Sequence, residues 1–143
     1  MTASASQGSE PLYFGRPKKL WGEMLAVSEK YLVECAEGNC ETDYEALNHR
    51  IDRERLPAFR FEREAERTAV GRLLGEISVQ SYDDHEIMLS ALVRNKRGGS
   101  VGKGFWTLAE ELEAVPEGLT PRQKSAELKR LTQAVKDHYR RTR

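Results

Sequence analysis

Apolar side chains recur every three or four residues through most of this chain, and that spacing restricts it to a largely helical fold. Leu20, Trp21, Met24, Leu25, Val27, Tyr31, Leu32 and Cys35 form the first such stripe, which a 3.6-residue repeat gathers onto one core-facing side. The spacing predicts a helix over about 18–37. It is entered through the basic Arg16-Pro-Lys-Lys19 segment, with Pro17 suited to the first turn, and stopped by Gly38-Asn39, residues that accept the left-handed C-cap conformation. A second, shorter helix is predicted from Thr42, where Thr42 and Glu45 read as a capping box, to about Arg53, with Leu47 and Ile51 inward. Ala65, Ala69, Val70, Leu73, Leu74 and Ile77 predict a third helix over about 62–81. Gly71 and Gly75 lie four apart on it, cost it stability, and suggest close approach of another backbone. Phe105, Leu108, Ala109, Leu112 and Val115 mark a fourth. Thr120-Pro-Arg-Gln123 is a second capping box, with proline at the first helical position. It opens a fifth helix to about Arg140, with Leu128, Leu131 and Val135 inward.

One stretch breaks this pattern. Ile87 to Val93 is a seven-residue run in which only Ser90 is polar, and a bounded apolar run of this length suits a strand buried on both faces. Arg94-Asn-Lys-Arg97 follows, then glycines at 98, 99, 102 and 104 with Lys103 among them. Glycine lets other groups approach the backbone closely, so such a loop can offer N–H groups and cations to an anion; the plainer reading is a hairpin that needs glycine for its turns. Strand, glycine loop and helix is also the setting of a P-loop, which requires G-x-x-x-x-G-K-[ST]. Here Gly104 follows Lys103 where a hydroxyl is needed, and Arg97 stands where the first glycine belongs, so a nucleotide-hydrolysing P-loop is not expected.

With 143 residues, the chain is expected to form one domain over 11–143, behind a Ser/Ala/Thr/Gly-rich tail, 1–10, that reads as disordered. No apolar run approaches the ~20 residues needed to span a bilayer, and Met1 to Glu10 lacks the basic start and apolar block of a secretory leader. A soluble, cytoplasmic protein is expected. Cys35 and Cys40 are not expected to pair in a reducing compartment. Two cysteines at this spacing, with histidines scattered at 49, 85 and 138, make no zinc site, so no metal or cofactor is expected. Asp83, Asp84, His85 and Glu86 resemble an acid–base or metal cluster in one dimension, but consecutive residues do not converge on one point, and a polar turn accounts for them.

Lysine and arginine balance aspartate and glutamate, 23 each, but unevenly along the chain. Residues 1–86 hold 11 basic and 17 acidic groups, whereas 87–143 hold 12 basic and 6 acidic. That asymmetry suggests one basic face, although halves of a sequence need not map onto faces of a fold. The candidate anion contacts are Arg94, Lys96, Arg97 and Lys103 in the glycine-rich segment, and Lys129, Arg130, Arg140 and Arg141 on the last helix. Cations in a final helical turn also complement the helix dipole, which gives part of this charge a purely structural reason.

The order of a capping turn at Thr42, a short helix, a longer helix carrying Ala69-Val-Gly-Arg-Leu-Leu74, then a strand and glycine-basic loop resembles the winged-helix DNA-binding domain of the alkylguanine-DNA alkyltransferases and alkyltransferase-like proteins. The resemblance spans about 42–105. Thr42, Tyr44 and Leu47 sit where that family has its Thr-Tyr-x-x-(Leu/Ile) turn, with one extra residue between Thr and Tyr. Val93-Arg-Asn-Lys-Arg-Gly98 is similar to its strand and wing. Met88-Leu-Ser-Ala91 stands where the family carries Pro-Cys-His-Arg, so neither nucleophile nor base is present and alkyl transfer is not implied. What the resemblance implies is a winged-helix-like scaffold, mainly α with a short strand or hairpin, and such scaffolds host many functions.

The leading expectation is a non-catalytic DNA-binding protein whose basic wing supplies phosphate contacts, which give affinity without sequence readout. The alternative is a protein-interaction module whose charge-polarised surface docks an acidic protein partner. A third reading, a phosphate-handling enzyme or nuclease using Lys103 and the acidic cluster, has no motif of adequate specificity behind it.

Overall fold

The computed structural model describes residues 12–96 and 99–141; the tail 1–10 lies outside them. They form a single, mainly helical domain with five α-helices and two very short strands: α1 (Lys18–Glu37), β1 (Thr42–Asp43), α2 (Tyr44–Arg53), α3 (Glu64–His85), β2 (Val93–Arg94), α4 (Lys103–Glu111) and α5 (Pro121–Arg141). A 3-10 turn, Leu89–Leu92, leads into β2. The predicted stripes face inward, except that Ala65, at the start of the third, is exposed. Trp21, Met24 and Leu32 of α1, Leu47 and Ile51 of α2, Leu73 and Ile77 of α3 and Val135 of α5 share the main core. Burying each large aliphatic side chain stabilises the fold by ~1.5–3 kcal/mol. A second cluster joins Met88, Ala91, Val101 and Trp106 to Leu128 and Leu131. The α5 helix therefore serves both clusters, its first half over the one around Trp106 and its second half over the main core.

The N-terminal entry is clamped down. Tyr13 and Arg16 exchange backbone hydrogen bonds in a tight turn, and the Tyr13 ring stacks on Trp21 at 5.8 Å between centroids. Arg16 makes two hydrogen bonds to the Glu66 carboxylate, at 3.0 and 3.1 Å, and its guanidinium covers the Phe59 ring at 4.7 Å. Asn48 secures the linker after α2, donating to the Phe59 carbonyl at 2.9 Å and accepting from the Phe59 amide at 2.7 Å. Cys35 and Cys40 are unlinked thiols.

The run from Ile87 to Val93 is buried, as expected, but it is not a strand. Two of its backbone donors are taken by side chains of α3 before any ladder can use them. Ser81 Oγ accepts from the Leu89 amide at 3.2 Å and donates to the Ile87 carbonyl at 2.7 Å. Ser78 Oγ accepts from the Ser90 amide at 2.9 Å and bonds the Ser90 hydroxyl at 2.6 Å. A buried backbone group satisfied by a hydroxyl has no need of a β partner, so the segment coils as 3-10 helix. Val93 and Arg94 form the ladder, pairing in parallel with Thr42 and Asp43.

Three further boundaries differ from expectation. The third helix runs to His85, so Tyr82 to His85 are helical rather than a polar turn; Gln80 bonds the Asp84 carboxylate across one helical turn at 3.1 Å. Glu86 then stops it in the left-handed conformation, φ 58°. The N-cap of α2 is Asp43, whose Oδ1 accepts from the Ala46 amide at 2.8 Å. Thr42 is held extended against Val93, and its hydroxyl bonds that of Tyr31 at 2.7 Å. The fourth helix starts early, at Lys103, and ends at Glu111, leaving Val115 buried beyond it. Gly71 and Gly75 admit no neighbouring backbone. A Cβ at Gly71 would meet nothing within 4 Å, and one at Gly75 only the Leu108 side chain at 3.9 Å. Both glycines instead line a mostly apolar groove of about 440 Å³ between α3 and α4.

Candidate functional site

The basic segment after β2 folds back on itself. The Asn95 amide donates to the Ser100 carbonyl at 2.9 Å, and the Gly99 amide to the Lys96 carbonyl at 2.7 Å. A Cβ on Gly99 would lie 2.8 Å from that Lys96 oxygen, closer than a side chain tolerates, so this turn requires glycine. The loop thereby faces the start of α5. That helix begins where expected, with the Gln123 side chain accepting from the Thr120 amide at 2.8 Å and Thr120 Oγ1 accepting from the Gln123 amide at 3.2 Å. From this start, the helical repeat puts Pro121, Lys124, Ser125, Leu128 and Lys129 on one side. Leu128 packs into the cluster around Trp106, which turns its neighbours toward the loop.

Between loop and helix lies a recess of about 500 Å³, lined by Arg94, Ser100, Trp106, Lys124, Ser125 and Lys129 among others. Among the described residues, three of its lining side chains are cations and none is a carboxylate. The Lys124 ammonium lies 5.7 Å from the centre of the Trp106 ring, a cation–π arrangement that holds it at the wall.

Arg94 is the unusual member. It is half-buried, and it hydrogen-bonds only neutral oxygens: Nε to the Ala91 carbonyl at 3.1 Å, Nη1 to the Gly99 carbonyl at 3.4 Å and Nη2 to Thr132 Oγ1 at 2.7 Å. The other well-buried arginines have carboxylates in contact, Arg16 with Glu66 and Arg50 with Glu34. None of the ion pairs among the described residues involves Arg94. Burial pushes its pKa down, and Glu41 offsets this only through space, because the Glu41 carboxylate is bonded to Lys136. Three hydrogen bonds leave two of the five guanidinium N–H groups for another acceptor.

The structure sorts the cations expected to contact an anion. Arg94 and Lys129 line the recess. Lys96 is exposed on the loop beside it, and Lys103 is exposed at the start of α4 without lining it. Arg130 turns away, pairing with Glu127 at 2.6 Å and donating to the Ala114 carbonyl at 2.8 Å, which braces the α4–α5 connection. Arg140 pairs with Asp137 at 2.5 Å. Arg97 and the Arg141 side chain lie outside the described residues. The sequence reading assigned no role here to Lys124, Ser100, Ser125 or Trp106. Lys124, Ser125, Leu128 and Lys129 did carry a signal, polar residues at helical spacing on either side of one buried leucine.

The acidic run does not converge. Asp83 and Glu86 are exposed, Asp84 is bonded to Gln80, and the His85 ring lies tilted against that of His138 with centroids 4.4 Å apart. Among the described residues, no group of three His, Cys, Asp or Glu side chains is placed to hold a metal ion, and no helix is long and apolar enough to cross a membrane. No protein-family model, curated protein or solved structure matches the chain.

Proposed function

We propose that this chain binds nucleic acid without catalysis, holding phosphate at the recess between Gly99-Ser100 and α5. The observation that carries this reading is Arg94. A half-buried guanidinium bonded only to neutral oxygens, facing a recess with two lysines and no carboxylate, calls for an anion from outside. Charge-assisted bonds from Arg and Lys to phosphate are about twice as strong as neutral ones. Lys96 and Lys103, both exposed, extend the attraction along a neighbouring strand. In this reading, as in the winged-helix resemblance, base contacts come from α2 or the start of α3.

Fluorescence anisotropy of labelled duplex and single-stranded DNA, titrated with protein over a range of salt, tests it. Each phosphate neutralised contributes a slope of about −0.9 in log affinity against log salt for duplex DNA, so one phosphate in the recess with Lys96 and Lys103 on two others gives a slope of about −3. Lys124→Gln with Lys129→Gln should flatten it by about one. Absence of binding at low salt would sink the reading and favour the second one, an acidic protein partner. That alternative draws support from the chain's zero net charge, which weakens any general attraction for nucleic acid.

A further inference from the structure

Building on that reading, we propose that the recess is an end-binding site: it takes a terminal phosphomonoester, the phosphate at the end of a nucleic-acid strand, in preference to a backbone diester.

The argument rests on charge, donors and shape. Arg94, Lys124 and Lys129 bring three positive charges to one concave space with no carboxylate in its lining. A backbone diester brings one negative charge, whereas a terminal phosphate carries about −1.5 to −2 at neutral pH, so the monoester matches the site more fully.

The donor inventory points the same way. Two Arg94 N–H groups remain after its three internal bonds, and each lysine ammonium supplies three more. The Ser125 hydroxyl lies on the same wall. This many donors suits three terminal oxygens better than the two non-bridging oxygens of a diester.

Shape is the third element. With Gly99 and Ser100 on one side, α5 on the other and Trp106 in its lining, the recess is a half-open concavity of about 500 Å³. That is within the ~300–1,000 Å³ range of small-ligand pockets. A strand end can enter such a recess directly, whereas a continuous backbone must both enter and leave it.

Single-stranded oligonucleotides of one sequence, bearing a 5′-phosphate, a 3′-phosphate or hydroxyls at both ends, provide the test by anisotropy. Adenosine monophosphate and adenosine are compared in parallel by thermal shift. The expected result is binding at least about tenfold tighter for a phosphorylated end than for the hydroxyl-ended strand, equivalent to about 1.4 kcal/mol. That advantage should fall below about twofold in Lys124→Gln and Lys129→Gln, exposed or half-exposed sites whose change leaves the core intact. Equal binding of all three strands overturns the end-binding proposal and leaves nucleic-acid binding standing. Binding of adenosine monophosphate but of no strand supports a phosphomonoester site for a free nucleotide and overturns the nucleic-acid reading. Binding of none overturns both.

Discussion

Arg94 donates from Nη2 to the Thr132 hydroxyl oxygen at 2.7 Å, tying the end of β2 to the middle of α5. Thr132 is buried, so this bond fixes the guanidinium at the edge of the recess and leaves its remaining donors directed by the fold. Thr132→Val keeps the shape and removes the acceptor. It should cost ~1–2 kcal/mol in urea unfolding and weaken phosphate binding, because the guanidinium loses the shortest of its three internal bonds while keeping its charge. A variant with unchanged stability and unchanged affinity would show that the bond does not position Arg94.

The Ser81 hydroxyl is expected to hold the 3-10 turn in place. Ser81→Ala strips the partner from the buried Leu89 amide and the Ile87 carbonyl together. The expected loss is about 1–3 kcal/mol, with faster hydrogen exchange at Leu89 than at the amides of α1. Exchange at Leu89 no faster than in the native chain would mean that another group satisfies that amide.

Stability should fall in acid through Glu66. The bond to Arg16, the largest influence, with the Arg60 amide and the Arg16 charge assisting, holds the Glu66 carboxyl below its ordinary value of 4.5. A carboxylate whose pKa is lower folded than unfolded contributes fully above the unfolded value, and that contribution disappears as pH falls through the folded value. The native chain should therefore lose stability below about pH 4.5, and Glu66→Gln should flatten that part of the profile while lowering stability at neutral pH. Parallel pH profiles for the two proteins would contradict this.

Glu86→Gly should stabilise the chain. Glu86 caps α3 at φ 58°, a region that costs non-glycine residues roughly 1–2 kcal/mol, and its charge sits unfavourably at a helix C-terminus. Against the larger unfolded-state entropy of glycine, the net gain should be ~0.5–1 kcal/mol. A lower thermal midpoint for the glycine variant would show that the exposed carboxylate makes a stabilising contact.

The helices were legible because each carries its own period: Leu20 to Cys35 and Ala69 to Ile77 need no distant residue to declare an inward face. The Ile87–Val93 segment was not, because what decides its shape is the pair of hydroxyls at Ser78 and Ser81, one helix away. An apolar run reads the same whether its amides meet a strand or a serine. The parallel pairing of Thr42 with Val93 was equally hidden, since two residues on each side leave no alternation to see. At the recess, Arg94 and Lys129 could be picked out by charge, but Lys124 meets Trp106 only because α4 and α5 pack together. Arg130 and Arg140 could have been set aside from the sequence alone, for each follows a carboxylate, Glu127 or Asp137, by three positions along one helix face.

The two-residue seam between β1 and β2 joins positions roughly fifty residues apart, with all of α2 and α3 threaded inside the closed loop. Each helix forms from contacts near in sequence, whereas this seam must wait for a long closure whose entropic cost is borne before its few bonds repay it. Arg94 sits in that seam. The anion site is thus a late product of assembly: a chain with every helix in place but the seam still open would have the charges and not the recess, and ligand binding would select for the fully closed form.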